Sequence, residues 1–297
     1  MNGFINLLKP AGMTSSDAVI QVRRLLERGT RVGHGGTLDP DAAGVLPICV
    51  GKATRLFDYI IDKKKTYVGE LCLGVETDTY DASGRIMRTS PVTADENALK
   101  EVLPRFEGDI FQLPPAYSAL KQGGVALYKK ARRGEDVVLE PRMVHIDSVQ
   151  LLKSLGKDRY LLKIECGKGV YIRSLMHDIG EALGCGGHMS FLLRSQSGYF
   201  SAEDSFSLDE LKAMEDLSRA LVPMDAPLAA FPAAEADAAY TKNIMDGQTV
   251  RFDWLNGPRP APGQKVRLYA GKRFAGMGEA AEDGIRIDAM LLDRETI

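Results

Sequence analysis

The stretch "GHGGTLDPDAAGVLP", Gly33–Pro47, sets glycines at 33, 35, 36 and 44 around an Asp-Pro pair and leaves through an apolar exit. Turn-forming residues gathered about one carboxylate, Asp39, admit two readings. Either Asp39 caps a structural turn, or a pliant backbone presents it to a ligand. The flanking sequence has to decide between them.

Upstream, "KPAGMTSSDAV" predicts a helix start. Thr14, Ser15 or Ser16 can cap it, and Asp17 suits the positive end of the dipole. Ala18, Val22, Leu25 and Leu26 then share a face, and Gly29 stops the helix. Downstream, "KTYVGELCLGVETD" alternates, with Leu71 and Leu73 opposite Glu70, and predicts a strand. Asp81–Gly84 predicts a hairpin turn. Thr93 and Glu96 predict a capping box ahead of Leu99, Val102, Leu103 and Phe106, with Pro104 ending or kinking the helix.

The segment 113–134, "LPPAYSALKQGGVALYKKARRG", predicts an extended or loop-like piece followed by a short helix. "MVHIDSVQLL" and "RYLLKIECGKGVYI" predict two strands. "RSLMHDIGEALG" predicts a helix with Leu175, Ile179 and Leu183 on one side and Gly184 as its stop. Ser207 and Glu210 box another helix start. From Val222 to Ala236 the composition turns to proline and alanine, which predicts a boundary. Beyond it "QTVRF", "QKVRLYA" and "GIRIDAMLL" predict short strands, so the tail is expected to be a small β domain.

Composition narrows the function classes. The chain has 297 residues, 44% hydrophobic and 26% charged, enough for one large domain or two with a sizeable core. Its net charge of −2 means that any nucleic-acid contact must come from a local basic face. Lys63, Lys64 and Lys65, with Lys129, Lys130, Arg132 and Arg133, are the candidate phosphate-tracking clusters. Four scattered cysteines without a CxxC pair suit reduced thiols in a cytoplasmic protein, and the single Cys185–His188 CxxH has no second half-site for zinc. No signal peptide or membrane-length apolar run is evident.

Other motifs fail. A phosphate loop at "GVLPICVGKAT" would need glycine at Leu46 and a hydroxyl at Ala53. "DTYDASG" lacks the alternate ligands and closing glutamate of a calcium loop. Gly33–Gly36 lacks dinucleotide-binding spacing, and no nucleophile elbow supports a serine triad.

Taken together, "KPAGMTSSDAV" (9–19), "GHGGTLDPDAAGVLPICVGKATR" (33–55), "KTYVGELCLGVETDTYDASG" (65–84), 113–134 and "GKGVYIRSLMHDIGEALGCGGH" (167–188) resemble the TruB family of tRNA pseudouridine synthases. The resemblance departs from the family pattern at Gly35, Asp41 and Ala43, and leaves the Asp39 signature intact.

The resemblance implies an α+β fold: a mixed α/β catalytic domain at 1–230 around a largely antiparallel sheet, then a small C-terminal β domain of the PUA type at 235–297. It implies isomerisation of uridine 55 in the T arm of tRNA after base flipping, without cofactor or metal, by a cytoplasmic monomer with no membrane partner. Asp39, Arg173 and Tyr67 match the catalytic positions: a carboxylate, the arginine that pairs with it, and a tyrosine that stacks on the base and whose hydroxyl could help remove the C5 proton. His34, Tyr67, Tyr171, Leu192 and Lys9 match substrate-binding positions, His34 propping the gap left by the flipped nucleotide. Whether Asp39 attacks C1′, attacks C6 or takes a proton from C2′ stays open. An RNA-binding protein without catalysis and an N-glycosidic hydrolase are the rival readings.

Overall fold

The computed structural model describes residues 1–61, 63–115, 121–122, 125–126 and 139–293. The chain opens with β1 (Gly3–Lys9), α1 (Ser15–Arg24), β2 (Ala43–Val50) and β3 (Lys65–Leu73). Then come α2 (Glu96–Val102), β4 (Gly108–Gln112), β5 (Arg142–Gly156), β6 (Arg159–Cys166), α3 (Ile172–Ala182), β7 (Gly187–Ser197) and β8 (Leu221–Val222).

Among the described residues, ten strands share one sheet. Its main path runs β8-β1-β2-β7-β3-β6-β5-β4, with the short strands Val32–His34 on β2 and Phe200–Ser201 on β7. Every pairing is antiparallel except that of β2 with β7. The expected mixed, largely antiparallel architecture is therefore what the chain adopts.

Alternation explains β3. Tyr67, Leu71 and Leu73 fall on one face and are buried in the main core cluster, beneath α3. Gly69 shares that face, and a Cβ there would stand 2.8 Å from Met176 Cε, so its missing side chain lets α3 lie close. The helix supplies Leu175, Met176 and Ile179, all fully buried. Thr14 caps α1 with a reciprocal box to Asp17, and Ser207 does the same with Glu210 for the helix Leu208–Ala213.

Three local expectations are corrected. The cap of α2 is Asp95, which accepts from Ala98 N–H at 2.9 Å, not Thr93; a carboxylate one residue ahead of the helix satisfies the orphan donor directly. "QTVRF" forms no strand. Val250 makes a lone bridge to Ile285, and Phe252–Trp254 coils into a 3-10 turn that stacks Trp254 on Tyr240. The Pro/Ala-rich stretch, read as a boundary, already contains a strand.

That strand, β9 (Ala233–Ala236), runs parallel to β10 (Lys265–Ala270) in a four-stranded sheet completed by β11 (Arg273–Ala280) and β12 (Ile285–Met290). The small sheet has its own core around Val266, Leu268 and Ile285. It also shares one with the larger unit: Met277, Ala289 and Leu291 belong to the same buried cluster as Phe4, Val45, Cys49 and Leu56. Lys52 Nζ donates to Leu291 O at 2.6 Å, and Tyr59 OH to Asp288 at 2.9 Å, across the same seam. Most of the 113–134 segment, with Lys129, Lys130, Arg132 and Arg133, lies outside the described residues.

Candidate active site

The loop between Val32–His34 and β2 is built on buried donors. Ser15, in the first turn of α1, accepts from Leu38 N–H at 2.9 Å and donates to Leu38 O at 2.8 Å. Lys9 Nζ donates to Pro10 O, Met13 O and Pro40 O at 2.8, 2.6 and 3.1 Å. Arg194, on β7 and 1% exposed, donates through Nε to Val45 O at 2.8 Å, through Nη1 to Thr37 O at 3.2 Å and through Nη2 to Gly36 O at 3.1 Å. Gly44 makes that approach feasible. It has φ 120° and sits opposite Arg194 in register, where a Cβ would fall 2.2 Å from Arg194 O.

With its carbonyls held from below, the loop carries Asp39 at its surface, the side chain 38% exposed. The turn is closed by main chain, Ala42 N–H donating to Asp39 O at 3.2 Å. The carboxylate pairs instead with Arg173, Nε to Oδ2 at 2.9 Å.

Arg173 lies in the first turn of α3 with its side chain 7% exposed. A cation there opposes the helix dipole, and two carboxylates offset that. Besides Asp39, Arg173 Nη1 stands 3.3 Å from Asp81 Oδ2, and it also donates to Thr79 O at 3.3 Å. Asp81 is itself fixed. Its Oδ1 accepts from Thr79 OH at 2.7 Å, Ser83 N–H at 3.0 Å and Ser83 OH at 2.6 Å. The guanidinium thus joins an anchored carboxylate to a partly exposed one, an arrangement that fixes where Asp39 points.

Tyr67 sits in register between Ile164 and Arg194. At 7% exposure its ring offers little open surface. Burial pushes its phenol up, although the hydrogen-bonded Arg194 pulls the other way. It is therefore a neutral phenol, poorly suited to act as a resting base. His34 closes the short strand beside β2, and burial with nearby Arg194 pushes its imidazole down, toward the neutral form. Tyr171 immediately precedes α3, its main chain pinned by both ends of the Gln112 amide at 2.8 and 3.0 Å. Leu192 packs over Gly69 and is 5% exposed.

Lys9 is a correction. Expected among substrate-binding residues, it is fully buried and gives its donors to three main-chain carbonyls. Its place is beneath the Asp39 loop. Lys65 is a second correction: it is buried and donates to Ile61 O and Lys63 O at 2.7 and 2.6 Å, so it tracks no phosphate. Lys63 covers the Phe231 ring, and Lys64 pairs with Asp147 at the surface. Among the described residues, other basic side chains gather near the loop. Arg28, Arg31, Lys52 and Arg55 line a cleft of about 400 Å³, and Arg23, Arg31 and Gly33 line its neighbour of about 700 Å³, next to the loop.

Burial brings Lys9 down to about 8, against the opposing pull of Asp39 and Asp41. In the unfolded chain it keeps its proton to its ordinary value of 10.5. Between those values the unfolded chain binds more protons, so this group makes stability rise with pH. Urea unfolding of the wild type, measured relative to Lys9→Met, should therefore show a stability gain from pH 8 to 10.5. A difference that stays flat across that window would refute the buried-cation account.

Two members of the site escaped sequence reading. Asp81 looks like turn chemistry alone, and it does serve its turn. Arg194 left a usable signal: a charged residue inside the apolar strand "FLLRSQS" is expected to have buried partners.

Comparisons with known proteins follow this geometry. Residues 23–172 match the model of the TruB family pseudouridylate synthase N-terminal domain. Residues 173–229 match the tRNA pseudouridylate synthase B C-terminal domain, and 232–288 the C-terminal model of pseudouridine synthase II TruB. The chain is 42% identical to the tRNA pseudouridine synthase B of Alkaliphilus oremlandii, over 99% of this chain and 100% of that one. It is 39% identical to the protein of the same name from Clostridium acetobutylicum, over 98% and 100%. Among solved structures, a chain of a Cbf5-Nop10-Gar1 complex aligns with TM-score 0.71 at 27% identity, over 98% of this chain and 84% of that one. A chain of an H/ACA RNP bound to a substrate RNA shares the fold at TM-score 0.75 and 24% identity, over 99% and 86%.

Proposed function

The chain belongs to the TruB family of pseudouridylate synthases and forms pseudouridine in tRNA, and from that premise we propose which uridine it takes and which residues act on it. The target is the uridine at position 55 of the T arm, flipped out of its loop to meet Asp39. The observation that carries this reading is the partly exposed Asp39 carboxylate held at 2.9 Å by a buried Arg173.

The isomerisation breaks N1–C1′, turns the base and joins C5 to C1′. C5 gives up one proton and N1 gains one, so nothing is oxidised and no group is added. The reaction asks for an ionised carboxylate against the sugar or base and for a dry pocket around the uracil. Asp39 is the catalytic carboxylate, and Arg173 holds it in place. Tyr67, Tyr171 and Leu192 line the uracil pocket, and His34 occupies the place the base leaves in the RNA. Flipping costs a few kcal/mol, offset by contact with these side chains and by phosphates on the arginine-lined cleft. Residues 1–230 are the catalytic domain, and 235–297 a PUA-like module that holds RNA. The enzyme acts as a cytoplasmic monomer on the T-arm stem-loop, without cofactor.

The test is a tRNA transcript tritiated at uridine C5. About one tritium per tRNA should be released, the yield that loss of one C5 hydrogen requires, and a transcript with cytidine at 55 should release none. Release that persists in that transcript would move the target elsewhere, and free uracil as product would make the protein a hydrolase. Arg173→Lys replaces a planar fork with a point charge that cannot span both carboxylates. Its turnover should fall about 100-fold, which is ~2.7 kcal/mol of transition-state stabilisation. An unchanged rate would remove the fork from the mechanism.

A further inference from the structure

Tyr80, the residue before Asp81, has a left-handed backbone at φ 62°. Bulky side chains rarely adopt that region, and a residue held there signals a constraint imposed by its surroundings. Glycine would take the same turn without strain, so the tyrosine ring calls for an explanation.

The ring stacks on His177 with centroids 4.0 Å apart and planes 12° from parallel. His177 follows Arg173 by four residues on α3, so both project from one face of the helix. Four residues further on, Glu181 pairs with Arg88 at 2.5 Å. One helix face therefore grips one hairpin at three levels: Arg173 on Asp81, His177 on Tyr80 and Glu181 on Arg88. Main chain secures the other flank. Met189 N–H donates to Tyr80 O, and Ala82 N–H donates to Met189 O, both at 3.0 Å. Asp81 is thus bracketed by two immobilised neighbours.

Asp178, Glu76 and Glu181 border the stack, and Arg88 pairs with both glutamates. Nδ1 of His177 is buried without a hydrogen-bond partner among the described residues, so the ring serves through its face.

We propose that Tyr80 and His177 are positioning residues for this reaction: stacked, they hold the turn that aims Asp81 at Arg173, and through Arg173 the carboxylate of Asp39. The inference rests on the reading of Asp39 and Arg173 given above. Misplacing a catalytic group by a fraction of an ångström costs rate without costing affinity.

Single-turnover tritium release separates the possibilities, with tRNA affinity and thermal midpoint measured on each variant. Tyr80→Gly and His177→Ala should each slow release about tenfold, with affinity within about twofold of wild type. His177→Phe keeps a stacking face and should stay within about twofold of the wild-type rate. Placed in an Asp81→Asn background, His177→Ala should slow release less than about twofold further, because both act through one carboxylate. Rates near wild type in Tyr80→Gly and His177→Ala would overturn the proposal. So would a loss that His177→Phe fails to rescue, or one that recurs in full without Asp81. Asp39→Asn is the control: if it stays active, the reading beneath the proposal fails, whereas an inactive Asp39→Asn beside fully active stack variants overturns the stack alone.

Discussion

Asp39→Asn is expected to stop pseudouridine formation while leaving tRNA binding within about threefold, a loss of at least about 10³-fold in rate of the size seen when a reacting group is removed. Asparagine has the size of aspartate and keeps a polar oxygen beside Arg173. It has no negative charge and is a far weaker nucleophile and base. The fold should survive, because Arg173 retains Asp81 and Thr79 O as partners and the loop is held by Ser15, Lys9 and Arg194 rather than by the Asp39 side chain. Binding should survive because the carboxylate contributes one exposed charge to a large RNA contact. Tritium release with filter binding on the same preparations checks both halves. Release at near the wild-type rate would sink the catalytic reading of Asp39, and loss of binding with loss of rate would turn it into an RNA-contact residue.

Arg194→Met should have the largest effect on stability. The arginine is 1% exposed, and its guanidinium answers three main-chain carbonyls, Gly36 O, Thr37 O and Val45 O. Methionine fills much of the volume and offers no donor, so polar groups in the interior go unpaired. Stranding such groups costs about 1–3 kcal/mol each without full additivity, which suggests ~4 kcal/mol in all. At about 2–4 °C per kcal/mol for chains of this size, the melting midpoint should drop by roughly 10 °C. Arg194→Lys should recover only part, since one ammonium cannot meet three divergent carbonyls. A midpoint within a degree or two of wild type would mean that the loop finds other donors.

How far the sequence reveals this molecule depends on where each residue's partner lies. The helix α3 is legible because Leu175, Ile179 and Gly184 carry its period and its stop in one short window. The start of α1 is legible for the same reason, although Thr14, Ser15 and Ser16 all qualify as its cap and the fold selects Thr14. β11 is not, because "RFAGMGEA" dilutes its alternation with glycine and alanine, and Gly276 is there to let Ala289 O come near. The site divides the same way. Resemblance joins Asp39 to Arg173, but no spacing rule does, since the sheet brings them together from distant parts of the chain. Asp81 and Arg194 stayed hidden because one doubles as a turn residue and the other finds its partners far away in the chain, three of them main-chain carbonyls. Lys9 was misread because a lysine in a motif looks like a ligand contact until its burial is known.

On the proposed reading, in which the tail holds RNA, the seam between the two sheets makes it a ruler. Met277, Ala289 and Leu291 are locked into the same apolar cluster as Phe4 on β1 and Val45 on β2, the strand that leads out of the Asp39 loop. A module on a slack tether would find the active site by diffusion, at an effective concentration set by the tether. A fused module fixes a span and a bearing before RNA arrives, so an RNA of the wrong length or bend gains nothing from the second grip. The same fusion means that cutting the chain after 234 strips the lid from a hydrophobic core, and a truncated protein would report its own collapse as lost affinity. Charge reversals on the exposed face of the tail are the cleaner way to read the ruler.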